Sequence, residues 1–469
     1  MTAPTEDDLE QWVLEILAEL GWVHVYGPDI APGEPDAERD DYRDVVLDGR
    51  LAAAIGRLNP HLPGEVVADV LRTVQRTESP RIESENWNAY RYLVQGVPVE
   101  YHDADGQLRI DRAWLIDWDD PNNNDLAAIN QFSVEGPKRT RRPDIMLFVN
   151  GLPLAVFELK RPGKVYAKVI GAFRQLQTYR NQIPEIFKWN QVAVVSDGIE
   201  ALAGAFSAPW NHWAAWKTIN GAVRDPRDID GFRIPQIEVL TRGIFRPDVF
   251  FDLCRNIVAT IGDGTETRKA VAKYHQYWAV NKAIDQTLEA VETDGRIGVV
   301  WHTQGSGKSL EMAYYAGKIM RHPAMDNPTV IVLTDRNDLD NQLLDETFAP
   351  AKPGSPLPEA PVQAESRAHL KDLLAGRESG GIIFTTLQKF GLSAEDRQAG
   401  RAFPLLSDRT NIVVMVDEAH RSNYDVIDGF ARNVRDALPE ASFIGFTGTP
   451  IDEKDRSTPE VSGTSTSTT

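Results

Sequence analysis

The chain has 469 residues, of which 42% are hydrophobic and 25% charged, with a formal net charge of -19. That length calls for two or three domains of roughly 100 to 250 residues, and that composition excludes a fibrous or wholly disordered polypeptide. No apolar run approaches the ~18 residues that a membrane-spanning helix requires, and so strong an acidic balance means that any phosphate backbone must be met by local basic patches. The start, Met1-Thr2-Ala3-Pro4-Thr5-Glu6-Asp7-Asp8, is acidic where a signal peptide would be basic and then apolar, so a cytoplasmic protein is expected. The lone Cys254 excludes an internal disulfide and reads as a buried, inert thiol.

The first element is a helix. Leu9, Trp12, Val13, Ile16, Leu17 and Leu20 recur at helical spacing, Thr5-Glu6-Asp7-Asp8 supplies a capping-box-like start, and Gly21 stops it. Glu10 lies at the edge of its apolar face, with Glu6 and Glu15 as nearby alternatives for a carboxylate that projects toward a cleft. From Ile110 to Lys160 short apolar segments alternate with turn residues, so helix and antiparallel strand are mixed in this region. The basic run Lys138-Arg139-Thr140-Arg141-Arg142 stands directly before Pro143-Asp144, where it is either a solvated surface or a hold on a DNA strand through Lys138, Arg139, Arg141 and Arg142.

Asn150-Gly151, between Ile145-Met146-Leu147-Phe148-Val149 and Leu154-Ala155-Val156-Phe157, signals a hairpin. A three-residue loop of Asn150, Gly151 and Leu152 would pair Val149 with Pro153 and set Asp144 opposite Glu158. Alternation along the strand then puts Glu158 and Lys160 on one face and turns Leu159 to the core. Two carboxylates and an ammonium at one end of a hairpin are what a hydrolytic nuclease needs to hold a divalent metal against a phosphate and to orient the attacking water. Downstream, Gln175 and Tyr179 lie four residues apart on one helix face. Signals weaken from about 185 to 260, and the domain boundary is placed there.

From about residue 295 the pattern changes to short buried strands, each followed by a helix: Ile297–Trp301, Val330–Leu333, Ile382–Phe384, Ile412–Val416 and Phe443–Phe446. Their spacing suits a parallel sheet. Residues 349–361, rich in Pro, Ala and Gly, read as a surface loop. Gly305-Ser306-Gly307-Lys308-Ser309 follows a strand and opens a helix, as a loop does that offers backbone N–H groups to phosphates, a lysine to the β and γ oxygens and a serine hydroxyl to magnesium. The general pattern would place a glycine where this chain has His302. Asp417-Glu418 ends an apolar strand, which suits magnesium coordination and water activation. The polar, low-complexity end, residues 461–469, is expected to be disordered.

Pro143-Asp144 followed by Glu158-Leu159-Lys160 resembles the PD-(D/E)xK nuclease superfamily. The resemblance implies that Asp144 and Glu158 bind magnesium, that Lys160 assists the water and the developing charge, and that Glu10 is a further metal ligand. Gln175 and Tyr179 match a Gln-x-x-x-Tyr element of type I restriction nuclease domains. The stretch from His302 to Ser309 resembles the phosphate loop of type I restriction motor subunits, so that Thr303, Gly305, Ser306, Gly307, Lys308 and Ser309 would hold ATP. Asp417-Glu418-Ala419-His420 resembles a DEAH box, with Ser309 and Asp417 on magnesium. Tyr274-His275-Gln276 is similar to a segment whose glutamine reads adenine, and Thr447-Gly448-Thr449-Pro450 to the element that couples ATP state to the nucleic-acid site. Asp335-Arg336 and Thr385-Thr386-Leu387-Gln388 occupy the positions of further superfamily 2 elements.

Jointly, residues 5 to 460 resemble the R subunit of type I restriction enzymes, with the nuclease ahead of the motor rather than behind it as in type III. The implied fold is α/β: a PD-(D/E)xK nuclease-like domain with a linker region over 1–255, then a parallel-sheet RecA-like helicase domain over 256–460. The implied function is magnesium-dependent cleavage of double-stranded DNA coupled to ATP-driven translocation, with methylation and specificity subunits as partners and no membrane. A second motor domain is expected to be missing after Pro450, which makes this a truncated chain with negligible DNA-stimulated ATPase on its own. The alternative is a remnant that binds DNA or nucleotide without turnover.

Overall fold

The computed structural model describes residues 5–103, 105–161, 169–261, 268–303, 305–334, 348, 357–377, 379–392, 395, 398–417 and 430–448, with the short segments 452–453, 456–457 and 465–466. The chain divides into two compact units, one formed by residues 1–258 with 268–274 and the other by 259–267 with 275–469. The first unit therefore takes in the weakly patterned region, which holds the helices Gln236–Ile244 and Pro247–Asn256.

The first unit opens with α1 (Glu6–Glu19), capped by Thr5, whose hydroxyl accepts from the Asp8 N–H while the Asp8 carboxylate accepts from the Thr5 N–H. The reciprocal bonds satisfy two of the donors a helix start leaves open. Gly21, at φ +96, ends the helix region as the sequence predicts. The sheet consists of β1 (Val23–Tyr26), β2 (Leu126–Asn130), β3 (Ile145–Val149), β4 (Leu152–Leu159), β5 (Val192–Ser196) and β6 (Ala201–Gly204), hydrogen bonded in that order. It is mixed: β1 with β2 and β4 with β5 are parallel, the other neighbours antiparallel. On one face Val169, Ala172, Leu176 and Tyr179 of α2 (Val169–Gln182) pack with Met146, Phe148, Val156, Ala193 and Val195. On the other, Phe157 meets Phe245 at 4.9 Å between ring centres, and Trp22 donates its indole N–H to the Phe245 carbonyl at 2.8 Å. All of β4 is buried, so its polar end is held in a dry setting.

The hairpin between β3 and β4 differs from the three-residue loop expected. Asn150 and Gly151 alone make the turn, at φ +51 and +81, and Val149 pairs with Leu152 and Phe148 with Pro153. Positive φ at both positions is the type I′ geometry that suits the twist of a hairpin. A bulge then follows: Leu154 is the extra residue, and pairing resumes at Leu147 with Ala155. With Ile145 opposite Phe157, Asp144 stands next in line across from Glu158. The expected partners are reached by a shorter turn plus an inserted residue.

The second unit contains α3 (Tyr274–Val291), β7 (Arg296–Trp301), α4 (Lys308–Met320), β8 (Thr329–Thr334), β9 (Val362–Gln363), β10 (Ile382–Thr386), β11 (Ile412–Asp417), β12 (Ser442–Thr447) and β13 (Ser465–Thr466). Its sheet runs β9-β10-β8-β11-β12-β7-β13, and every neighbouring pair is parallel. Buried strands require cover on both faces. Ile331, Leu333, Ile383, Val414 and Phe443 pack with Leu370, Leu374, Val434 and Leu438, while Tyr315 of α4 stands 6.2 Å from Phe446. The predicted strands are thus present and parallel. Within the tail expected to be disordered, Ser465 and Thr466 pair with Val299 and Val300; an edge strand offers backbone bonds to any sequence, whether or not it has side chains to bury. The proline-rich segment expected as a loop lies outside the described residues as far as 356.

A Cβ on Gly151 would stand 2.4 Å from the Leu47 carbonyl oxygen, on a backbone that L side chains avoid. Gly151→Ala is expected to cost more than about 1 kcal/mol, read as a lower urea midpoint; an unchanged midpoint would show that the turn does not constrain the hairpin.

Candidate active site and nucleotide site

The end of the hairpin gathers the charged residues of the first unit. Asp144, half-buried, accepts a hydrogen bond through Oδ2 from the Leu159 N–H at 2.6 Å, which ties the start of β3 to the end of β4. Glu158 is buried, and its Oε1 accepts from the Lys160 ammonium. Lys160 Nζ also reaches the Leu159 carbonyl at 3.0 Å and Glu6 Oε1 at 3.3 Å, while its own backbone N–H is held by the Ser196 carbonyl at 2.8 Å. Glu158 lies on the face of β4 that also carries Val156, and there it faces Tyr179 of α2, whose hydroxyl is under the electrostatic influence of Glu158 and Gln175.

Glu10 is 5% exposed and is the carboxylate of α1 that turns inward. Its Oε1 accepts from Asn130 Nδ2 at 2.7 Å and its Oε2 from Gln131 Nε2 at 2.8 Å. Of the alternatives, Glu15 is exposed and Glu6 pairs with Lys160. Glu6, Asp7, Glu10, Gln11, Tyr26, Asn130, Gln131, Arg142 and Asp144 line one cavity of about 550 Å³. Within the basic run, Lys138, Arg139 and Arg142 are exposed, and Arg141 is half-buried with its Nε on Gln182 Oε1 at 2.6 Å. Only Arg142 of these lines the cavity, where its charge favours ionised Glu10.

Packing acids together out of water has an electrostatic cost. Burial, then the neighbouring Glu158 carboxylate, push the Asp144 carboxyl up to about 8, against the pull of the Leu159 N–H and Lys160. Glu158 and Glu10 are also raised, in each case by burial first. Burial pulls Lys160 down, but the attraction of Glu158, Asp144 and Glu6 outweighs it and the ammonium is held above its ordinary range. Glu158 Oε2 is buried without a hydrogen-bond partner among the described residues. An oxygen-only donor set, short of positive charge and with one atom orphaned, fits a hard divalent cation such as Mg2+.

Asn130 and Gln131 are the residues that reading the sequence missed. Gln131 holds φ +55, an uncommon conformation for a side chain other than glycine, and its N–H binds the Asp144 carbonyl at 3.2 Å. Asn130 is braced in turn by His24, whose Nε2 is 2.9 Å from its Oδ1. The available signal was an amide pair closing the apolar strand Leu126-Ala127-Ala128-Ile129.

In the second unit the loop after β7 and the ends of β11 and β12 converge, because β12 lies between β7 and β11. Ligand crevices of parallel sheets form at such carboxyl ends. Gly305 and Gly307 adopt φ +83 and +95, and Gly307 caps α4, so Lys308 and Ser309 open the helix. Thr303, Gly305 and Ser309 are exposed, and the Thr303 carbonyl accepts from the Ser306 N–H at 3.1 Å. Gln276 is buried, with its Nε2 3.4 Å from the Ser306 carbonyl and 3.3 Å from that of Gly307. A Cβ on Gly307 would meet that same nitrogen at 2.5 Å. Asp417 ends β11 and Thr447 ends β12, and the His302 N–H binds the Thr447 carbonyl at 3.2 Å. Gly448 accepts from the Trp301 indole at 3.0 Å. Thr385 to Gln388 run from the end of β10 into a short helical turn. Asp335, Arg336, Glu418, Ala419, His420, Thr449 and Pro450 lie outside the described residues. Cys254 is buried, and burial pushes its thiol well above the ordinary range, as an inert thiol requires.

Replacing Asn130 or Gln131 by alanine strips a donor from a buried carboxylate, at roughly 1–3 kcal/mol of lost stabilisation of the ionised form. Each change is expected to weaken divalent-ion binding at least about tenfold, measured by calorimetric titration with Mg2+; unchanged affinity would mean that Glu10 takes no part in holding the ion.

Residues 3–212 match the family described as the type I restriction enzyme R protein N terminus, and residues 275–468 the SWI2/SNF2 ATPase family. The endonuclease subunit of the type I restriction enzyme HindI from Haemophilus influenzae is 41% identical, over 98% of this chain and 44% of its own length. The subunit assigned to the type I enzyme MjaIXP of Methanocaldococcus jannaschii is 35% identical, over 96% of this chain and 43% of its own length. A solved fragment assigned to an HsdR subunit from Vibrio vulnificus YJ016 covers 72% of this chain and 54% of that one at 17% identity, with a TM-score of 0.26 that is too low to bear on the argument. The chain thus spans under half the length of the curated relatives it matches. With an R-protein N-terminal region followed by a SWI2/SNF2 ATPase region, it belongs to the family of type I restriction enzyme endonuclease subunits.

Proposed function

We propose that this chain cleaves double-stranded DNA with Mg2+ in the cleft around Asp144, Glu158 and Lys160, and that it binds ATP at the Lys308 loop to drive DNA translocation beside methylation and specificity subunits. The observation that carries the reading is the meeting of Asp144, Glu158, Lys160 and Glu10 at one hairpin end, with Glu158 Oε2 left without a hydrogen-bond partner among the described residues. Glu10, Asp144 and Glu158 would hold the ion. When bound, it supplies a Lewis acid for the scissile phosphate and makes a bound water more acidic. Lys160, kept charged by its carboxylate neighbours, is positioned to donate to the charge that develops on the phosphate. Tyr179 and Gln175 orient Glu158 from behind. Arg142, with Lys138, Arg139 and Arg141, would take the strand's phosphates.

In the ATPase unit, Thr303, Gly305, Ser306, Gly307 and Lys308 would cradle the phosphates, and Ser309 and Asp417 would hold the accompanying Mg2+. Gln276, Glu418, Thr447, Gly448 and Thr449 take the roles of base recognition, water activation and coupling in this reading. A cytoplasmic location belongs to it as well; no described helix is long and apolar enough to cross a membrane.

Nicking of supercoiled plasmid in Mg2+ tests the nuclease. Asp144→Ala and Lys160→Ala are expected to lower the rate about 100-fold or more, whereas Lys308→Ala should abolish nucleotide binding and spare the nicking. Cutting that persists in Asp144→Ala would overturn the assignment, and nucleotide binding without any cutting by the wild type would favour the non-turnover remnant.

A pH dependence follows from Asp144. A folded-state value of about 8 against an ordinary 3.8 means that the native chain holds this proton more tightly than the unfolded chain does. The contribution to stability is full below about 3.8 and fades as the pH rises through about 8. A cation needs the ionised form, so the rise in melting temperature produced by Mg2+ is expected to grow with pH up to about 8. Asp144→Asn should flatten that dependence; a Mg2+ effect of equal size at pH 5 and pH 8.5 would contradict it.

A further inference from the structure

Three side chains of the second unit that have no part in the reading above face one another below the phosphate loop. His302 directly follows the strand that leads into the loop, Glu311 lies in the first turn of α4, and His275 lies in the first turn of α3, beside Gln276. Their donor atoms all fall within 4.8 Å of one another. His302 Nδ1 and Glu311 Oε1 are 2.6 Å apart, and the rings of His275 and His302 meet edge to face at 5.1 Å. His302 is 6% exposed and Glu311 is 0% exposed.

We propose that His275, His302 and Glu311 form a binding site for a zinc ion. A buried pair of His302 and Glu311 would by itself be an ordinary hydrogen bond, but it leaves Glu311 Oε2 buried with no hydrogen-bond partner among the described residues. Leaving such an atom unsatisfied is destabilising, and a cation shared with the two imidazoles removes that loss. Two nitrogens and one carboxylate oxygen are zinc donors; Mg2+ selects oxygen ligands in an octahedron and is not suited to them. Bonds of about 2.1 Å to a tetrahedral ion put donors about 3.4 Å apart, so closing the site asks for side-chain rotations of about 1 Å. Three protein ligands leave a fourth position for water, and half-buried His275 gives the ion its way in. A bound ion would fasten the turn that carries Gln276 to the base of the phosphate loop.

The test is a titration of the full chain, stripped with chelator, using Zn2+ by calorimetry and Co2+ by its visible absorption. The wild type is expected to bind one equivalent that survives in Asp144→Ala, which weakens the separate carboxylate cleft of the first unit. His275→Asn and Glu311→Gln should each weaken that equivalent at least about tenfold. Because Glu311 is fully buried, His275→Asn, whose side chain is half-buried, decides the matter if Glu311→Gln does not fold by circular dichroism. An equivalent that is undiminished in His275→Asn, or a wild type that binds only the ion lost in Asp144→Ala, overturns the proposal.

Discussion

The N–H of Leu159 donates to Asp144 across the mouth of a hairpin, and this bond forces two acids into one small volume. With Glu158 on the same strand as the donor, the pairing of β3 with β4 fixes the backbone positions from which both carboxylates project. Their mutual repulsion is therefore carried by the sheet, whose strands are buried throughout at this point. Lys160 offsets part of it through Glu158, and Glu10 adds to it from the helix side while itself being held by two amides. The site is electrostatically incomplete by construction of the fold, and a divalent ion is the simplest group that completes it.

The second unit meets a different constraint. A parallel sheet has all its carboxyl ends on one side, so the loops that follow β7, β11 and β12 gather there whatever their sequences. Chemistry enters through the backbone: two left-handed glycines turn the loop, and one of them leaves the space that the Gln276 amide fills. His302, where a looser pattern would have glycine, is fixed by the Thr447 carbonyl and by Glu311. The loop thus rests on side chains from α3 and α4 as well as on its own turns.

Much of this was legible in the sequence because it depends on short-range patterns. The Thr5 cap, the five apolar strands of the second unit and the Asn-Gly turn each announce themselves within a few residues. What was hidden depends on contacts between distant segments. Glu10 could not be separated from Glu6 and Glu15 by spacing, since helical periodicity gives a face but not the residue that faces it; Asn130 and Gln131, 120 and 121 positions away, make the choice. The region after 185 was weak for a similar reason: Phe245 and Phe250, besides meeting each other, are buried by Phe157 and Trp22 from distant parts of the chain. For Ser465 and Thr466, composition argued for disorder, and it has no access to pairing that uses only the backbone.

The bulge at Leu154 has a bearing on how this hairpin can change over time. Between Leu147 and Ala155 the chain has one residue more than the two-residue turn uses, and the excess is stored on one strand without touching the pairing beyond it. A relative lacking that residue could close the same turn with no bulge and still set its Asp across from its Glu, whereas one with a longer turn could spend the residue there. Length at the tip is uncoupled from alignment at the base. The end that carries Asp144 and Glu158 can stay fixed while the other end of the hairpin drifts.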